Sequence, residues 1–184
     1  MPSMSARLAA ALVVGILALG PGAGSAAAAP CDAPVVNEIA CENSNPGNPP
    51  SEWDVSGAGD ASIQGFATDI SVNRGSLAQF KVDTTATAYR LDIYRIGYYG
   101  GDGARLQATV RPLQAPPAQP ACATDAATGL VDCGTWAVSA SWAVPADAVS
   151  GVYVAKLVRE DGTAGSSHIL FVVRDDASTS DVLF

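Results

Sequence analysis

Histidine is almost absent from this sequence, because His168 is the only imidazole among its 184 residues. The four cysteines form no Cys-x-x-Cys pair, so no metal site is expected. The Gly-x-Ser-x-Gly motif of serine hydrolases is missing as well. His168 lies in a predicted strand, where the adjacent Ser167 faces the opposite side, and this disfavours a Ser-His-Asp triad. A histidine satisfied within its strand is the favoured interpretation, and no catalytic residue is assigned.

Positive charge is also scarce. Ten Lys and Arg residues stand against 18 Asp and Glu residues, which gives a formal net charge of −8. An acidic surface repels phosphate backbones and anionic lipid headgroups, so neither nucleic acid nor a membrane surface is an expected partner. With so many acids, a pair such as Asp92 and Asp102 arises by chance and does not by itself indicate a glycoside hydrolase.

Residues 1–28 have the parts of a secretory signal peptide. Arg7 is the only charge before Cys31, an apolar run extends from Leu8 to Leu19, and small residues follow. The run is shorter than the roughly 20 residues of a membrane span, which disfavours a retained anchor. Cleavage after Ala28 would remove Arg7 and leave 9 basic against 18 acidic residues. The sequence therefore predicts a secreted, extracellular protein with no membrane span after cleavage.

The four cysteines form two local pairs in the exported part. Cys31 and Cys41 are ten residues apart, and Cys122 and Cys133 are eleven apart. An oxidising compartment makes disulfides the expected state, and four cysteines allow three pairings. The pairing of Cys31 with Cys41 and of Cys122 with Cys133 is favoured, because short loops close at the lowest entropic cost.

No segment after the signal shows helical periodicity, and the proline-rich stretch 42–61 predicts a loop. Alternation of apolar and polar residues predicts strands instead. Phe66, Thr68, Ile70 and Val72 share one face of an extended segment, and Ala78, Phe80 and Val82 share one face of the next strand. The clearest alternation covers residues 136–144, and a further strand is predicted over 104–113. Residues 152–159 are apolar on both faces, which favours a central strand covered on both sides.

These patterns predict an all-β fold, an immunoglobulin-like β-sandwich of seven or eight strands. Tyr153, two residues after Gly151, is placed as in the tyrosine corner of such sandwiches. The predicted organisation is a signal peptide (1–28), a disulfide-tied extension (29–62) and the sandwich (63–174). Residues 175–184 are expected to be a linker or the start of a further domain, because the sequence ends on the apolar Val182-Leu183-Phe184.

A glycine cluster at residues 97–103 carries the candidate binding or docking residues Tyr98, Tyr99 and Asp102. Exposed aromatics at a glycine-rich bend form a stacking surface for a sugar or a partner protein, and the alternative is packing in the core or against a following domain. A phosphate cradle is disfavoured, because no Lys-Ser/Thr pair follows the glycines. A calcium loop using Asp102 matches no known spacing, so no cofactor is expected.

Several stretches resemble the N-terminal β-sandwich region of secreted bacterial proteins like the large (beta) subunit of N,N-dimethylformamidase. The most specific is Leu91–Gly101, with the sequence Leu-Asp-Ile-Tyr-Arg-Ile-Gly-Tyr-Tyr-Gly-Gly. Residues 63–72, 42–55 and 167–176 also take part. In that family the sandwich precedes a larger domain, and the formamidase is an amide hydrolase whose iron is held by two tyrosines and a glutamate. The resemblance implies that such ligands lie beyond residue 184.

Two functions are therefore expected. The first is a non-catalytic accessory module that packs on or positions a C-terminal hydrolase-like domain of the same natural chain. The alternative is a stand-alone extracellular module that binds a cell-surface glycan or protein through Tyr98 and Tyr99. An enzyme in its own right is disfavoured, because the motif searches assign no catalytic set.

Overall fold

A computed structural model describes residues 29–35, 37–112 and 118–179. Within them, two sheets face each other and a separate hairpin projects. One sheet has the strand order β1-β3-β8 and consists of Ile63–Ala67 (β1), Leu77–Thr84 (β3) and Ala140–Ala143 (β8). The other has the order β2-β10-β9-β4-β5 and consists of Ser71–Asn73 (β2), Tyr89–Ile96 (β4), Ala104–Val110 (β5), Gly151–Arg159 (β9) and Ser166–Arg174 (β10). The structure confirms the predicted all-β sandwich.

The core lies between the two sheets and follows the alternation of the strands. On β3, Ala78, Phe80 and Val82 are buried, as predicted. On β4 and β9, Leu91 and Leu157 are opposite each other in register and both are fully buried. Buried aromatic rings fill the centre, and these are Phe80, Trp142, Tyr153 and Phe171. Apolar area removed from water in this way is the main stabilising contribution to the fold.

Strand β9 is central in its sheet, between β10 and β4, as its apolar character on both faces predicted. Tyr153 lies on its inner face and its hydroxyl donates to the carbonyl of Val149, at 2.7 Å. A tyrosine that bonds a few residues upstream at a strand entry is the tyrosine corner expected from the sequence.

The single extended segment predicted for residues 66–72 is wrong. β1 ends at Ala67 and β2 begins at Ser71, and the two strands belong to different sheets. The chain bends between them, so Ile70 is 84% exposed rather than in line with Phe66 and Val72. Alternation alone does not reveal this change of sheet, because both strands keep the same period.

The expectation that no helix follows the signal is also wrong. Two short helices occur among the described residues. Glu38–Asn43 (α1) ends at the start of the predicted loop region 42–61, and Pro50–Trp53 (α2) lies within it. The Asn37 side chain accepts from the amide of Ala40 and caps α1. Pro50 is tolerated because it is the first residue of α2, where a backbone N–H would have no helical acceptor.

The alternation at residues 136–144 forms a shorter strand than predicted, since β8 covers only Ala140–Ala143. The segment before it belongs to the base of a hairpin formed by Ala123–Asp125 (β6) and Leu130–Asp132 (β7). Disulfides join Cys122 to Cys133 at this base and Cys31 to Cys41 of α1, the pairing that the sequence favoured.

Some predictions fall outside the described residues. These are the signal peptide at 1–28, the end of the strand predicted for 104–113, and the apolar end Val182-Leu183-Phe184. The strand is shorter than predicted, because it covers Ala104–Val110 and the described residues 111–112 are not part of it. In the described part of the chain, no helix is long and apolar enough to cross a membrane.

Candidate functional site

The glycine-rich corner after β4 separates its two tyrosines. Tyr98 is 70% exposed, whereas Tyr99 is 1% exposed and turns into the protein. Tyr99 has a φ of +43°, and Gly100 and Gly101 follow with φ of +69° and +107°, so the turn needs the freedom of these glycines. The predicted surface of two tyrosines is therefore corrected to Tyr98 alone.

Asp102, the third candidate of this corner, contributes its backbone rather than its carboxylate. Its carbonyl accepts a hydrogen bond from the indole of Trp53, at 3.0 Å. No side-chain bond of Asp102 occurs among the described residues, and no group of three or more His, Cys, Asp or Glu side chains there is arranged to hold a metal ion. The corner is thus a structural junction between the sandwich and the N-terminal extension.

Tyr99 is part of a buried polar network. Its hydroxyl donates to Oε1 of Glu42 at 3.0 Å and accepts from Nη1 of Arg95 at 3.1 Å. The buried guanidinium of Arg95 also donates to the carbonyls of Val149 and Ser150. Burial raises the pKa of Tyr99, so the phenol stays protonated and keeps its donor role.

The same network contains the residue types that would hold the iron implied by the resemblance. Tyr99, Glu42 and Tyr153 are two tyrosines and a glutamate close enough to interact electrostatically. However, Oε1 of Glu42 already accepts from Arg105 at 2.9 Å, and Arg95 donates to the Tyr99 hydroxyl. The guanidinium groups of Arg95 and Arg105 therefore already supply the positive charge beside these oxygens. Burial also raises the pKa of Tyr153 to about 12. The donor set does not fit iron, because a metal would need deprotonated phenolates.

The N-terminal extension crosses the outer face of the five-stranded sheet as a strap (residues 48–60). The C-terminal carbonyls of α2 are held by donors that stand on three adjacent strands. The carbonyl of Glu52 accepts from the Tyr94 hydroxyl and from Nζ of Lys156, and the carbonyl of Trp53 lies 2.6 Å from Nε2 of His168. Helix ends leave such carbonyls without partners, so this clamp stabilises the strap.

This clamp identifies the role of His168. Because its Nε2 faces a carbonyl oxygen, that nitrogen carries the proton and the ring acts as a donor. Nζ of Lys156 also donates to the carbonyl of Asp54, and burial lowers its pKa. The sequence indicated a satisfied strand histidine but gave no sign of its partner, which is 115 residues away.

Beside the strap, part of the same sheet face carries apolar side chains that no described residue covers. We call Val152, Leu170 and Val172 the apolar patch. Val152 and Val172 are cross-strand neighbours, and Leu170 lies two residues from Val172 on the same face. Leu170 is 65% exposed and Val152 is 43% exposed. An antiparallel sheet that faces water has polar residues at such positions, so this part of the face has the composition of a covered surface.

The comparison with protein families gives one match. The model of a family described as N,N-dimethylformamidase beta subunit-like, C-terminal, matches residues 90–184, which is more than half of the chain. The chain belongs to this family. The match begins in β4 and includes every later strand of the sandwich and the projecting hairpin.

The dimethylformamidase-like assignment agrees with the resemblance drawn from the sequence, but its placement differs in one respect. The family description names a C-terminal region, and the expectation of an N-terminal region is not confirmed. A comparison with curated proteins finds no match. The two disulfides fit a protein of a non-cytosolic compartment.

Sequence reasoning missed Leu170 and Val172 as candidate surface residues, although a signal was present. Residues 169–173 are apolar at every position, as residues 152–155 are. Continuous apolar character indicates that both faces of a strand are covered, as in β9. Glu42 carried no comparable signal, because its partners are distant in sequence.

Proposed function

We propose that this chain is a non-catalytic sandwich module of a secreted dimethylformamidase-like protein, which packs on and positions a hydrolase-like domain. The family match supports the context of a protein with several domains or subunits. The observation that carries the proposed role is the apolar patch, which lies on β9 and β10, the last two described strands of the matched region. Burying Val152, Leu170 and Val172 against a second domain would remove their apolar area from water.

The position of the patch supports a domain contact within one protein. β10 ends at Arg174, two residues after Val172, so the chain leaves the sandwich beside the patch. The strap already packs on the neighbouring part of this face through Lys156 and His168. A second domain placed here would extend a contact surface that the sheet already forms.

The test mixes the purified chain with the hydrolase-like region of a dimethylformamidase-like protein that lacks its own sandwich. We expect a complex by isothermal titration calorimetry, and at least about tenfold weaker binding for a Val152→Ser, Leu170→Ser double variant. Leu77→Ser is the matched control, because Leu77 is an exposed leucine on β3 of the opposite sheet. The chain alone should not hydrolyse N,N-dimethylformamide.

Two results would refute the proposal. Turnover of N,N-dimethylformamide by the chain alone would show that it is an enzyme. Equal binding by the parent chain, the double variant and the Leu77→Ser control would show that the apolar patch is not the contact surface.

A second candidate is a stand-alone extracellular module that binds a glycan or a protein through Tyr98. The exposure of the Tyr98 ring at the glycine corner favours it. Asn43 accepts from the Tyr98 amide at 3.0 Å, so the backbone that presents this ring is held in place. Retention of ligands on a glycan array by a Tyr98→Ala variant would remove this candidate.

A further inference from the structure

A cleft of about 300 Å³ opens beside β1, at the edge of the sandwich where β1 approaches β10. Its walls come from Gln64 and Phe66 of β1, from Cys133 and Trp136 at the base of the hairpin, and from His168 of β10. The volume is at the lower end of the range for small-ligand sites. Neither docking through the apolar patch nor ligand binding through Tyr98 uses this cleft.

Two aromatic rings form one wall, and both are held in position. The centroids of Phe66 and Trp136 are 5.7 Å apart and their planes make an angle of 37°. The indole Nε1 of Trp136 donates to the carbonyl of Pro120 at 2.9 Å. Nζ of Lys81 lies 5.7 Å from the centroid of the Phe66 ring, within the range of a cation–π contact. The aromatic wall is therefore formed before any ligand binds.

The residues that line the cleft include polar groups but no charged side chain. Lys81, which lies over the Phe66 ring, is not part of the lining, and its Nζ donates to the carbonyl of Gly134. The lining contains no Asp, Glu, Lys or Arg, in a chain that carries 28 such residues. The cleft between α2 and the sheet, in contrast, is lined by Arg90, Asp92 and Lys156. An uncharged lining leaves a charged ligand without a partner, and it therefore selects a neutral one.

The polar groups of the lining can form hydrogen bonds with the hydroxyl groups of a ligand. The exposed amide of Gln64 has no hydrogen-bond partner among the described residues and can both donate and accept. Nε2 of His168 is occupied by the Trp53 carbonyl, which leaves Nδ1 as an acceptor in the neutral ring. An aromatic wall next to uncharged donors and acceptors matches a molecule with one apolar C–H face and hydroxyl groups along its edge.

We propose that this cleft binds a short neutral saccharide. The apolar face of a sugar ring stacks on the Phe66–Trp136 wall, and its hydroxyl groups bond to Gln64 and His168. The site is separate from the glycine corner and does not depend on the proposed docking role.

The experiment uses the ¹⁵N-labelled chain, whose three tryptophans give three indole N–H resonances. Cellobiose, maltose and N,N′-diacetylchitobiose are titrated separately. We expect at least one of them to shift the Trp136 resonance saturably, with a dissociation constant on the order of 1 mM. The resonance of the buried Trp142 should not move.

Three variants locate the site. Trp136→Ala should abolish the saturable change in the backbone amides of β1. Gln64→Ala removes an exposed amide without touching the core, so it keeps the fold and should weaken binding about tenfold. Tyr98→Ala should bind as the parent chain does.

The proposal is overturned if no sugar shifts the Trp136 resonance at about 10 mM. It is also overturned if Gln64→Ala binds as tightly as the parent chain. Loss of binding in Tyr98→Ala with retention in Gln64→Ala would assign the sugar to the glycine corner instead.

Discussion

At the scale of single residues, the Tyr153 hydroxyl combines burial with one well-formed hydrogen bond. The side chain is fully buried, and its hydroxyl donates to Val149. Burial raises the pKa of Tyr153 from 10.0 to about 12, although the charge of Arg95 opposes this rise. The hydroxyl therefore loses its proton at a higher pH in the folded chain than in the unfolded chain.

This difference predicts a loss of stability in alkali. The contribution of Tyr153 is complete below pH 10 and is lost as pH rises through about 12, because the unfolded chain ionises first. At pH 7, Tyr153→Phe should lower the free energy of unfolding by about 1 kcal/mol. Between pH 7 and about pH 11.5, the free energy of unfolding should fall by about 2 kcal/mol less in this variant than in the parent chain. Urea unfolding followed by tryptophan fluorescence at both pH values measures this.

Tyr98→Phe serves as the control, because its ring is exposed and gains little from folding. Parallel declines of the parent chain and of Tyr153→Phe between the two pH values would contradict the prediction.

Residues of the candidate corner show what a sequence can and cannot reveal. Adjacent side chains of a strand face opposite sides, and this rule alone argued against a shared surface of Tyr98 and Tyr99. In the structure the two rings separate for another reason, because the chain turns at these residues. Which of the two is buried was not predictable, because Tyr99 turns inward to meet Glu42 and Arg95. Glu42 belongs to a helix that the proline-rich sequence did not predict.

At the scale of elements, the strap depends on the donors beneath it. The chain has only two lysines, and both donate to backbone carbonyls. Lys156 holds the carbonyls of Glu52 and Asp54, and Lys81 holds that of Gly134 at the hairpin base. Each lysine therefore supports a different peripheral element.

A matched pair of variants tests this division. Lys156→Met should loosen the strap by about 1 kcal/mol, because the solvent-exposed carbonyls of Glu52 and Asp54 lose a charged donor. Backbone amides of residues 50–60 should then exchange faster with deuterium, and the indole N–H of Trp53 should exchange faster too. Lys81→Met should leave these protons protected and affect the hairpin base instead. Equal protection of the strap in both variants would show that Lys156 does not hold it.

Strands were predictable where the pattern of apolar and polar residues shows which of their faces are buried and which are exposed to solvent. The alternation of β3 and the apolar run of β9 predicted their burial and their positions correctly. The elements that deviate are set by contacts from elsewhere. Trp136 continues the alternation that leads into β8, yet it packs on Phe66 outside the strand. α2 is too short to form alone, and it exists because the sheet binds its carbonyls.

At the scale of the whole molecule, neither disulfide joins the two sheets. Cys31–Cys41 lies in the N-terminal extension, and Cys122–Cys133 closes the hairpin. The contact between the sheets is made by apolar side chains such as Phe80 and Phe171, whose ring centroids are 5.4 Å apart. The sandwich core is thus independent of both covalent links.

Reduction should therefore leave the sandwich folded. In dithiothreitol at 25 °C, we expect the near-ultraviolet circular dichroism of buried Trp142 to persist and urea unfolding to remain cooperative. Amides of residues 123–132 should lose protection, because a hairpin of two short strands is marginal without its link. A non-cooperative transition in the reduced chain would contradict this.

The overall architecture was the most predictable level, because many strands contribute to one pattern. The sandwich class and the family followed from alternation and from the stretch around Leu91–Gly101. The division into an extension at 29–62 and a sandwich at 63–174 stays a prediction. The path of the extension over the sheet was not predictable, since it is fixed by bonds between residues about 40 to 115 positions apart.

The hairpin of β6 and β7 projects from the sandwich and is open to insertions at its turn. Residues 123–132 are all exposed, while the bonds of Gln119, Trp136 and the disulfide hold its base. The turn at residues 126–129 can therefore accept a foreign peptide with little effect on folding. An epitope or an affinity tag grafted there would be displayed on a closed loop, and the sandwich would become a carrier scaffold for secreted fusion proteins.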